Sequence, residues 1–346
     1  VEADACVVGA GIAGMTTAYL LAREGRRVVV LDSHAVGGGE TGQTTAHLAS
    51  ANDDYFHEIE RVHGAEGARL TFESHQAAIE RIGAIVADEG ISCDYERVHG
   101  FWFAPPGQDA SLLTKERDAA LRAGAQVELL DRVPGVPFLG GPALRFARQA
   151  QFHPLHYIAG LARAIVRAGG AIHTGSAVNE IEGGPTARAA GHGFEVRAAS
   201  VVVCTNTPVV DRLAVHTKQA PYRTFVIGAR VPRQWMPHVL LWDLLDPYHY
   251  VRLAARPGDS SHETLIVGGE DHKTGHDDDA EKRFAALEQW ARTHFPQMGA
   301  VEYRWSGQVM EPVDYLAFIG RDPGRRENVY VATGDSGQGM THGTIA

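Results

Sequence analysis

A glycine-rich run near the start of the chain constrains the fold more than any other feature. Residues 3–8 form a short apolar segment typical of a buried parallel strand, and Gly9-Ala10-Gly11-Ile12-Ala13-Gly14 follows directly. Met15 to Glu24 then predicts a helix, and Val28 to Leu31 predicts a second apolar strand that ends at Asp32. Strand, glycine loop, helix, strand and acid stand in the order of a dinucleotide-binding βαβ unit. We therefore expect an α/β fold.

Each residue type in this run has a physical role at a bound pyrophosphate. Gly9 permits the tight turn, Gly11 lets the backbone approach the pyrophosphate, and Gly14 lets helix and strand pack closely. The helix N-terminus directs unpaired N–H groups and a positive dipole at the phosphates. Asp32 lies 18 residues after Gly14, where a carboxylate accepts hydrogen bonds from a ribose. The nucleotide contacts predicted in this unit are Gly9, Gly11, Ile12, Ala13, Gly14, Asp32 and Ser33.

The segment after the second strand favours FAD over NAD, which the acid alone does not. Gly37 to His47 is a loop of glycines and hydroxyl side chains, long enough to wrap an extended dinucleotide and reach its far end. NAD enzymes usually enter a crossover helix at this point. The FAD contacts predicted in this loop are Thr41, Gln43, Thr44, Thr45, Ala46 and His47.

A second strand and glycine loop occur near the end of the chain. Asn328 to Thr333 predicts a strand, and the run Gly334 to Thr341 predicts a loop and the start of a helix. A helix start there could direct N–H groups at the flavin edge where negative charge accumulates on reduction. The predicted contacts are Asp335, Gly337, Gln338, Gly339, Met340 and Thr341.

Four blocks of the sequence resemble one family. The blocks Cys6–Asp32, Gly37–His47, Trp305–Gly320 and Val331–Thr341 are similar to the FAD-dependent D-amino acid oxidase/glycine oxidase superfamily. Within it, the details of Gly39–Leu48 and Gly334–Gly343 look closer to the γ-glutamylputrescine oxidoreductase-like branch, whose members often carry a C-terminal Rieske iron–sulfur domain. The resemblance implies FAD, backbone contact at Val178, and further contacts at Thr205, Asn206 and Gly307.

The order of predicted elements suggests two interleaved domains. Arg223–Arg230, His249–Ala254 and Thr264–Gly268 read as longer alternating strands inserted between parallel α/β pieces. We expect a Rossmann-like FAD-binding domain interleaved with an antiparallel-sheet substrate domain that roofs the flavin. The expected limits are 1–94, 145–215 and 305–346 for the FAD-binding domain, and 95–144 and 216–304 for the substrate domain. We also expect natural residues beyond Ala346, because the last residues read as the start of a helix.

The chemistry expected at such a site is dehydrogenation of a C–N bond by hydride transfer to flavin N5. It needs an unprotonated substrate nitrogen and a C–H bond held against the flavin, so a catalytic triad is not required. The predicted catalytic residues are His47, Tyr250, Arg252 and Gln338, with Tyr248, His249, Gln308 and His342 as further candidates. Strand alternation places Tyr248, Tyr250 and Arg252 on one face, which we expect to face the flavin.

One departure from the family pattern bears on the substrate. The resemblance implies a carboxylate-binding arginine shortly after the Trp-x-Gly motif, but Val309 stands at that place. Without such a bidentate clamp, a secondary or polyamine-like amine fits better than a plain amino acid, although Arg252 or Arg223 could replace it. Glu311 or Asp314 could attract a cationic substrate. Relatives that bind FAD covalently use a histidine near His47, yet we expect non-covalent FAD.

Composition excludes several other classes. The net charge of −10 disfavours a nucleic-acid partner. Three scattered cysteines give no disulfide framework or Cys-x-x-Cys metal site, and no apolar run suggests a membrane span or signal peptide, so a cytoplasmic protein is expected. His272, His276 and the run Asp277–Asp279 read as an acidic loop before a helix, so no metal is expected.

Two further points stay open in the sequence. We expect electrons to pass to O2 or to an iron–sulfur (Rieske) partner. The alternatives are an FAD-dependent hydroxylase or NAD(P)H-dependent flavin reductase, for which a second pyridine-nucleotide glycine motif is missing, and a non-catalytic FAD-binding or tRNA-modifying module, which the acidic net charge disfavours.

Overall fold

The computed structural model of the chain describes residues 1–209, 215–275 and 279–346. The helices of this part are α1 (Ile12–Arg23), α2 (Phe56–Glu89), α3 (Ser111–Arg122), α4 (Pro154–Arg167), α5 (Ala280–His294) and α6 (Gly339–Ile345), with a short 3-10 turn at Glu40–Gly42. The strands are β1 (Glu2–Val8), β2 (Val28–Leu31), β3 (His47–Leu48), β4 (Glu96–Phe103), β5 (Val127–Leu130), β6 (Ala143–Gln151), β7 (Ala171–His173), β8 (Val178–Glu182), β9 (Ala187–Gly191), β10 (Phe194–Val203), β11 (Gln219–Pro232), β12 (Val239–Asp243), β13 (His249–Ala255), β14 (His262–Lys273), β15 (Val301–Pro312), β16 (Phe318–Arg321) and β17 (Val329–Thr333).

The first sheet has the order β16-β17-β10-β1-β2-β7, and β9 and β8 extend it beside β10. The strands β17, β10, β1, β2 and β7 run parallel, whereas β16 is antiparallel to β17. Their apolar residues are buried because α1, α4 and α6 cover one face. Ligands of such open parallel sheets bind at the carboxyl ends of the strands.

The second sheet has the order β15-β11-β14-β13-β12-β4-β6-β3, and β5 pairs with β6. Its pairs are antiparallel except for β12 with β4. Helix α5 packs Leu287 and Ala291 on one face of this sheet, and Phe295 packs there directly after the helix. On the other face α2 and α3 bury a cluster around Phe56, Trp102 and Phe146.

The two sheets are built from alternating stretches of the chain. The first sheet takes its strands from residues 2–31, 171–203 and 318–333, and the second takes its strands from the two intervals between these stretches, residues 47–151 and 219–312. The α/β fold with a Rossmann-like unit interleaved with a largely antiparallel sheet is thus confirmed. The proposed domain limits stay a prediction, and those at residues 145 and 305 lie inside β6 and β15 of the second sheet.

The predicted elements around the glycine motif are confirmed, with small shifts at their ends. The predicted helix over residues 15–24 begins earlier, at Ile12, because the first helical turn follows directly on Gly11. The strand Val28–Leu31 has the predicted bounds. Within the described residues, the helices are too short or too polar to cross a bilayer.

Candidate active site

A cavity of about 530 Å³ lies where the two sheets meet. The carboxyl ends of β1, β2 and β17 open into it from the first sheet, through Val8, Leu31 and Thr333. Strands β11 to β14 close the other side, through Thr224, Trp242 and neighbouring residues. The cavity therefore has a nucleotide-motif end and an antiparallel-sheet end.

Close backbone packing shapes the nucleotide-motif end. A Cβ on Gly9 would lie 2.4 Å from the carbonyl oxygen of Cys204, and a Cβ on Gly14 would lie 1.9 Å from that of Gly9. The Thr41 hydroxyl accepts a hydrogen bond from Ile12 N at 3.0 Å and so caps one N–H group of α1. The start of α1 thus points into the cavity with little side-chain bulk around it, as a pyrophosphate requires.

Asp32 is fixed at the end of β2. Its Oδ2 atom accepts from Ala10 N at 2.6 Å, and its Oδ1 atom accepts from His34 N at 2.7 Å. Asp32 lines the cavity, where a carboxylate oxygen held in this way has acceptor capacity left for a ribose hydroxyl. The residues present therefore fit the adenosine end of FAD.

The loop after β2 is tied to β15 of the other sheet. Trp305 Nε1 donates to the Gln43 carbonyl at 2.8 Å, and Gln308 N donates to Glu40 Oε2 at 2.7 Å. Glu40, Gln43, Gly307 and Gln308 all line the cavity. These bonds hold the loop along the cavity, as expected for a segment that wraps an extended dinucleotide.

Aromatic rings line the antiparallel-sheet end. Trp242, Tyr248 and Tyr250 face the cavity, and the Tyr250 hydroxyl is hydrogen-bonded to Thr224 Oγ1 at 2.6 Å. The Tyr250 ring lies against Gly268, where a Cβ would come within 2.1 Å of the ring. Alternation on β13 thus brings the tyrosine face to the cavity.

His47 lies between the two ends. Its Nδ1 atom is 3.0 Å from Thr45 Oγ1, and its ring centroid is 5.6 Å from that of Trp242 and 5.7 Å from that of Tyr250. Burial, followed by the charge of Arg252, lowers the pKa of His47 to about 3, so the ring is neutral at physiological pH. Its Nε2 atom is buried with no hydrogen-bond partner in the described part of the chain.

Three carboxyl groups with raised pKa values line the cavity. Burial, followed by the charge of Asp54, raises the pKa of Asp53 to about 8. Burial also raises the pKa of Asp271 and of Asp335 to about 6. Asp53 accepts a long hydrogen bond from the Tyr248 hydroxyl at 3.4 Å, and Asp335 accepts from Met310 N at 2.9 Å. Burial disfavours the ionised form of each carboxyl group, so a cation in the cavity would stabilise all three carboxylates.

The loop before α6 supplies two more polar groups. Gln338 Nε2 donates to the Ala51 carbonyl at 2.7 Å, whereas Gln338 Oε1 is buried with no partner among the described residues. His342 donates from Nδ1 to the Asp335 carbonyl at 2.9 Å, and burial lowers its pKa to about 4. Gln338 Oε1 is therefore an acceptor available to a ligand N–H or O–H group.

Most of the residues proposed from sequence line this one cavity. They are Gly9, Gly11, Ile12, Ala13, Asp32, Ser33, Thr41, Gln43, Thr44, Thr45, His47, Val178, Thr205, Asn206, Tyr248, Tyr250, Gly307, Gln308, Asp335, Gly337, Gln338, Gly339, Met340 and His342. The structure thus brings together segments that are separated by more than 300 residues in the chain, which the glycine motifs at both ends of the sequence predicted.

Arg252 requires a correction. It was proposed to contact substrate, but its guanidinium is buried outside the cavity lining and donates to the carbonyls of Thr45, Phe152 and Leu253. Each of its three nitrogens donates to a backbone carbonyl, and none of them reaches the cavity lining where a substrate carboxylate would bind. Arg252 therefore positions the loop that carries Thr45, and no arginine replaces the clamp expected near Val309 among the described lining residues.

Other proposed residues lie just outside the cavity wall. Gly14 and Ala46 do not line the cavity, and Thr341 Oγ1 donates to the Gln338 carbonyl at 3.0 Å inside α6. His249 lies on the opposite face of β13, where it contacts Asp243 Oδ2 at 2.8 Å and stacks on Trp290. Gly14 serves the packing of α1 on β1, as its proposed role requires.

Sequence reasoning missed Asp53 and Asp271. Asp53 lies in a polar Asn-Asp-Asp triplet between a buried stretch and α2, and Asp271 lies past the predicted end of β14. The polar triplet after an apolar run was the available signal for Asp53. Asp271 gave none, because β11 and β14 change register beside it, at Arg223/Phe225.

The described residues contain no group of three or more His, Cys, Asp or Glu side chains that could hold a metal ion. Three residues of the acidic loop considered from sequence, 276–278, lie outside the described residues.

A dinucleotide motif that opens on a deep cavity, with an antiparallel sheet as its roof, defines a dinucleotide-dependent oxidoreductase fold. The family model for FAD-dependent oxidoreductases (DAO) matches residues 4–346, and the chain belongs to this family. The resemblance seen in the sequence motifs, and FAD as the cofactor, are thereby confirmed.

Curated relatives and solved structures agree with this assignment. The chain is 28% identical over 347 residues to the putative Rieske 2Fe-2S iron-sulfur protein YhfW of Bacillus subtilis (strain 168), covering 100% of this chain and 67% of that protein. It is 28% identical over 362 residues to gamma-glutamylputrescine oxidoreductase of Escherichia coli (strain K12), covering 99% and 81%. The glycine oxidase structure from Geobacillus kaustophilus superposes with a TM-score of 0.82 at 18% identity, covering 99% and 92%, which shows the shared fold.

Proposed function

We propose that this protein dehydrogenates the C–N bond of a small cationic amine, such as a secondary or polyamine-like amine or an amino-acid derivative. One observation carries the proposal. Asp53, Asp271 and Asp335 line the cavity, whereas no lysine or arginine is present among the described lining residues. Such a lining attracts an ammonium group and offers nothing to a substrate carboxylate.

Val309 supports the same substrate class. It lines the cavity at the position where the family resemblance implies a carboxylate-binding arginine. An amino-acid carboxylate placed here would lie among raised-pKa acids without a cationic partner, which is unfavourable by several kcal/mol in a buried site. The name of the Escherichia coli relative, which contains a putrescine derivative, is consistent with an amine.

The aromatic wall suits a cationic ligand. Trp242, Tyr248 and Tyr250 present rings to the cavity, and a cation held against such faces gains about 0.5–2 kcal/mol. Tyr248 and Tyr250 are 5.7 Å apart between ring centroids, so both rings contact a shared space. We propose that this wall orients the alkyl ammonium so that its C–H bond faces the flavin.

Asp53 is the proposed acceptor of the substrate proton. Flavin-dependent amine oxidation requires a free nitrogen lone pair, so an alkylammonium ion must lose a proton first. Burial raises the pKa of Asp53 to about 8, closer to that of an alkylammonium than an ordinary aspartate is. Asp53 takes the proton while the Tyr248 hydroxyl, which donates to its Oδ2 atom, holds its orientation.

FAD supplies the hydride acceptor when bound. We propose that it is held without a covalent bond, since the His47 ring is fixed by Thr45 and packs between Trp242 and Tyr250. Acid precipitation tests this: all yellow colour should pass to the supernatant. A yellow pellet would show covalent FAD.

Anaerobic reduction tests the proposed reaction. The purified yellow holoenzyme is mixed, without NAD(P)H, with 1,4-diaminobutane, N-methylbutylamine, glycine and D-alanine in separate experiments. We expect the amines to bleach the flavin absorbance and the amino acids to bleach it slowly or not at all. Bleaching by NAD(P)H alone would favour the alternative of a hydroxylase or flavin reductase, and no bleaching by any amine would contradict the proposal.

The electron acceptor is proposed to be O2 or an iron–sulfur partner. The name of the Bacillus subtilis relative supports the second. Oxygen consumption at the rate of amine turnover would identify an oxidase. Turnover only with a one-electron dye would identify a dehydrogenase, and we propose a cytoplasmic location for either.

A further inference from the structure

A hydroxyl group joins two carboxyl groups directly behind the cavity wall. Ser336 Oγ lies 2.6 Å from Asp54 Oδ2 and 3.0 Å from Glu311 Oε2. Ser336 stands between Asp335 and Gly337, which both line the cavity, whereas Asp54, Ser336 and Glu311 do not. We call these three residues the acid-serine unit.

The hydrogen count of this unit requires a carboxyl proton. A serine hydroxyl carries one hydrogen, so it donates one full hydrogen bond. Two ionised carboxylates at these distances would leave one of them facing an oxygen lone pair. The geometry is satisfied when one carboxyl is protonated and donates to Ser336 Oγ, which donates to the other.

Burial and the charges around the unit also favour a protonated carboxyl group. Burial, followed by the charge of Asp54, raises the pKa of Glu311 well above its usual range, and burial raises that of Asp54 to about 6. Asp335 and Asp53 raise the Glu311 pKa further.

The cations near the paired strand β11 do not offset these acids. Lys218, just before β11, is exposed, and Arg223 donates to Ser306 Oγ at 2.8 Å. A positive charge inside the cavity would favour loss of the Glu311 proton.

Gln338 gives an independent sign that a ligand, FAD or substrate, binds beside the unit. Its side chain is 6% exposed and lines the cavity, and its Oε1 atom has no partner among the described residues. Its neighbour Gly337 packs so closely on Asp53 that a Cβ there would lie 2.3 Å from Asp53 Oδ2. An N–H donor in the cavity would satisfy Gln338 beside Asp53.

We infer that Glu311 is a specificity-determining residue, which releases the proton it shares with Asp54 when a cationic amine enters the cavity. The proton passes to water and the amine keeps its charge, so no bond to carbon changes and no electron moves. This inference rests on the proposed function, because it takes the ligand of the cavity to be a cationic amine.

Because amine binding releases a proton, the affinity for the amine should increase with pH. At low pH the unit holds its proton, so an entering ammonium must displace it and binding is weak. As pH rises, the proton is lost in the free protein as well, and binding strengthens. Glu311→Gln keeps a donor to Ser336 but fixes the group as neutral at every pH.

The test uses the FAD-loaded enzyme and tert-butylamine, which is protonated at these pH values and has no hydrogen on the carbon next to its nitrogen. It therefore binds without being oxidised, and its Kd is read from the change in flavin absorbance. We expect equal Kd values for wild type and Glu311→Gln near about pH 6, and about tenfold weaker binding by the variant near about pH 9. Glu311→Asp should restore the wild-type pH dependence.

Two variants complete the test. Glu327→Gln makes the same change at an exposed glutamate and should follow wild type at every pH. Asp54→Asn removes the main charge that acts on Glu311, and it is made in an Asp53→Asn background because Asp54 also raises the pKa of Asp53; in that background the rise in affinity should move to lower pH. This second result decides the matter if Glu311→Gln does not retain FAD.

A constant ratio between Glu311→Gln and wild type across the pH range, or an unmoved midpoint in Asp54→Asn, would overturn the inference. Failure of the proposed function is a separate outcome. In that case no amine reduces the flavin, whatever the pH dependence of tert-butylamine binding.

Discussion

The two ends of the cavity differ in the groups that form their walls. At the nucleotide-motif end the backbone is closely packed, with Gly9 and Gly11 where a side chain would meet neighbouring atoms. At the antiparallel-sheet end the lining is side chain, with aromatic rings and carboxyl groups such as Tyr250 and Asp53. The nucleotide-motif end suits FAD, whose shape is the same in every member of the family. The antiparallel-sheet end suits a substrate that is recognised by its charge.

Because of this difference, substitutions at the two ends should impair the protein in two different ways. Backbone-lined sites depend on close approach, so an added methyl group should remove the cofactor completely. Side-chain-lined sites depend on charge and orientation, so single changes there should alter rate or preference while FAD stays bound.

The largest effect is expected at Gly14, which lies behind the cavity wall and packs on the turn at Gly9. In Gly14→Ala the new Cβ would lie 1.9 Å from the carbonyl oxygen of Gly9, so the turn or α1 must move. We expect a protein without bound FAD, measured as the ratio of flavin to protein absorbance after purification. Gly25→Asn is the control, because nothing lies within 4 Å of a Cβ there and asparagine tolerates its φ of +79°. Normal FAD content in Gly14→Ala would refute the role of close packing.

The next effect is expected at Asp53, whose change should leave FAD bound. Asp53→Asn removes the proposed proton acceptor, and we expect kcat/KM for an amine to fall by about 10²–10⁴-fold. Its pKa of about 8 in the free protein means that the proton-accepting form is lost below that pH. Wild-type kcat/KM should therefore rise with pH and level off above about 8, and the variant should lose this rise.

Asp88→Asn provides the matched control for this experiment. Asp88 is half exposed and pairs with Arg23 on the surface, where such pairs contribute little. It should keep both the wild-type rate and the wild-type pH profile. A flat wild-type profile between about pH 6 and 9 would argue against Asp53 as proton acceptor.

The same contrast explains what the sequence could predict. The nucleotide-motif end is encoded in a contiguous run, in which Gly9 to Asp32 have fixed spacing set by one turn and one helix. The sheet end combines Asp53, Trp242, Tyr250 and Asp271 from separate segments, and only tertiary pairing brings them together. Strand alternation alone predicts the face of a strand but not which residues reach the cavity. Arg252 shares a face with Tyr250 but lies beyond the cavity, where it donates to backbone carbonyls.

A smaller effect is expected from restoring the missing cation. Val309→Arg would place a guanidinium in the lining, next to acids that now favour an amine. We expect KM for an amine to rise about tenfold and flavin reduction by glycine to increase relative to wild type. Val309→Met, of similar length but uncharged, should change neither ratio by more than a few-fold. Equal preferences in both variants would mean that charge at this position does not select the substrate.

The smallest effect is expected at Tyr250, where ring and hydroxyl can be separated. Tyr250→Phe keeps the ring against Gly268 but removes the hydrogen bond to Thr224 Oγ1. We expect the free energy of unfolding to fall by about 1 kcal/mol and KM for an amine to change only a few-fold, because the ring face remains. Thr224→Val and the double variant complete a cycle, and a coupling near zero would show that this bond does not order the wall. A large loss of kcat in Tyr250→Phe would instead assign the hydroxyl a direct part in catalysis. The antiparallel-sheet end would then act through a proton donor on its aromatic wall, in addition to the charge of its carboxyl groups.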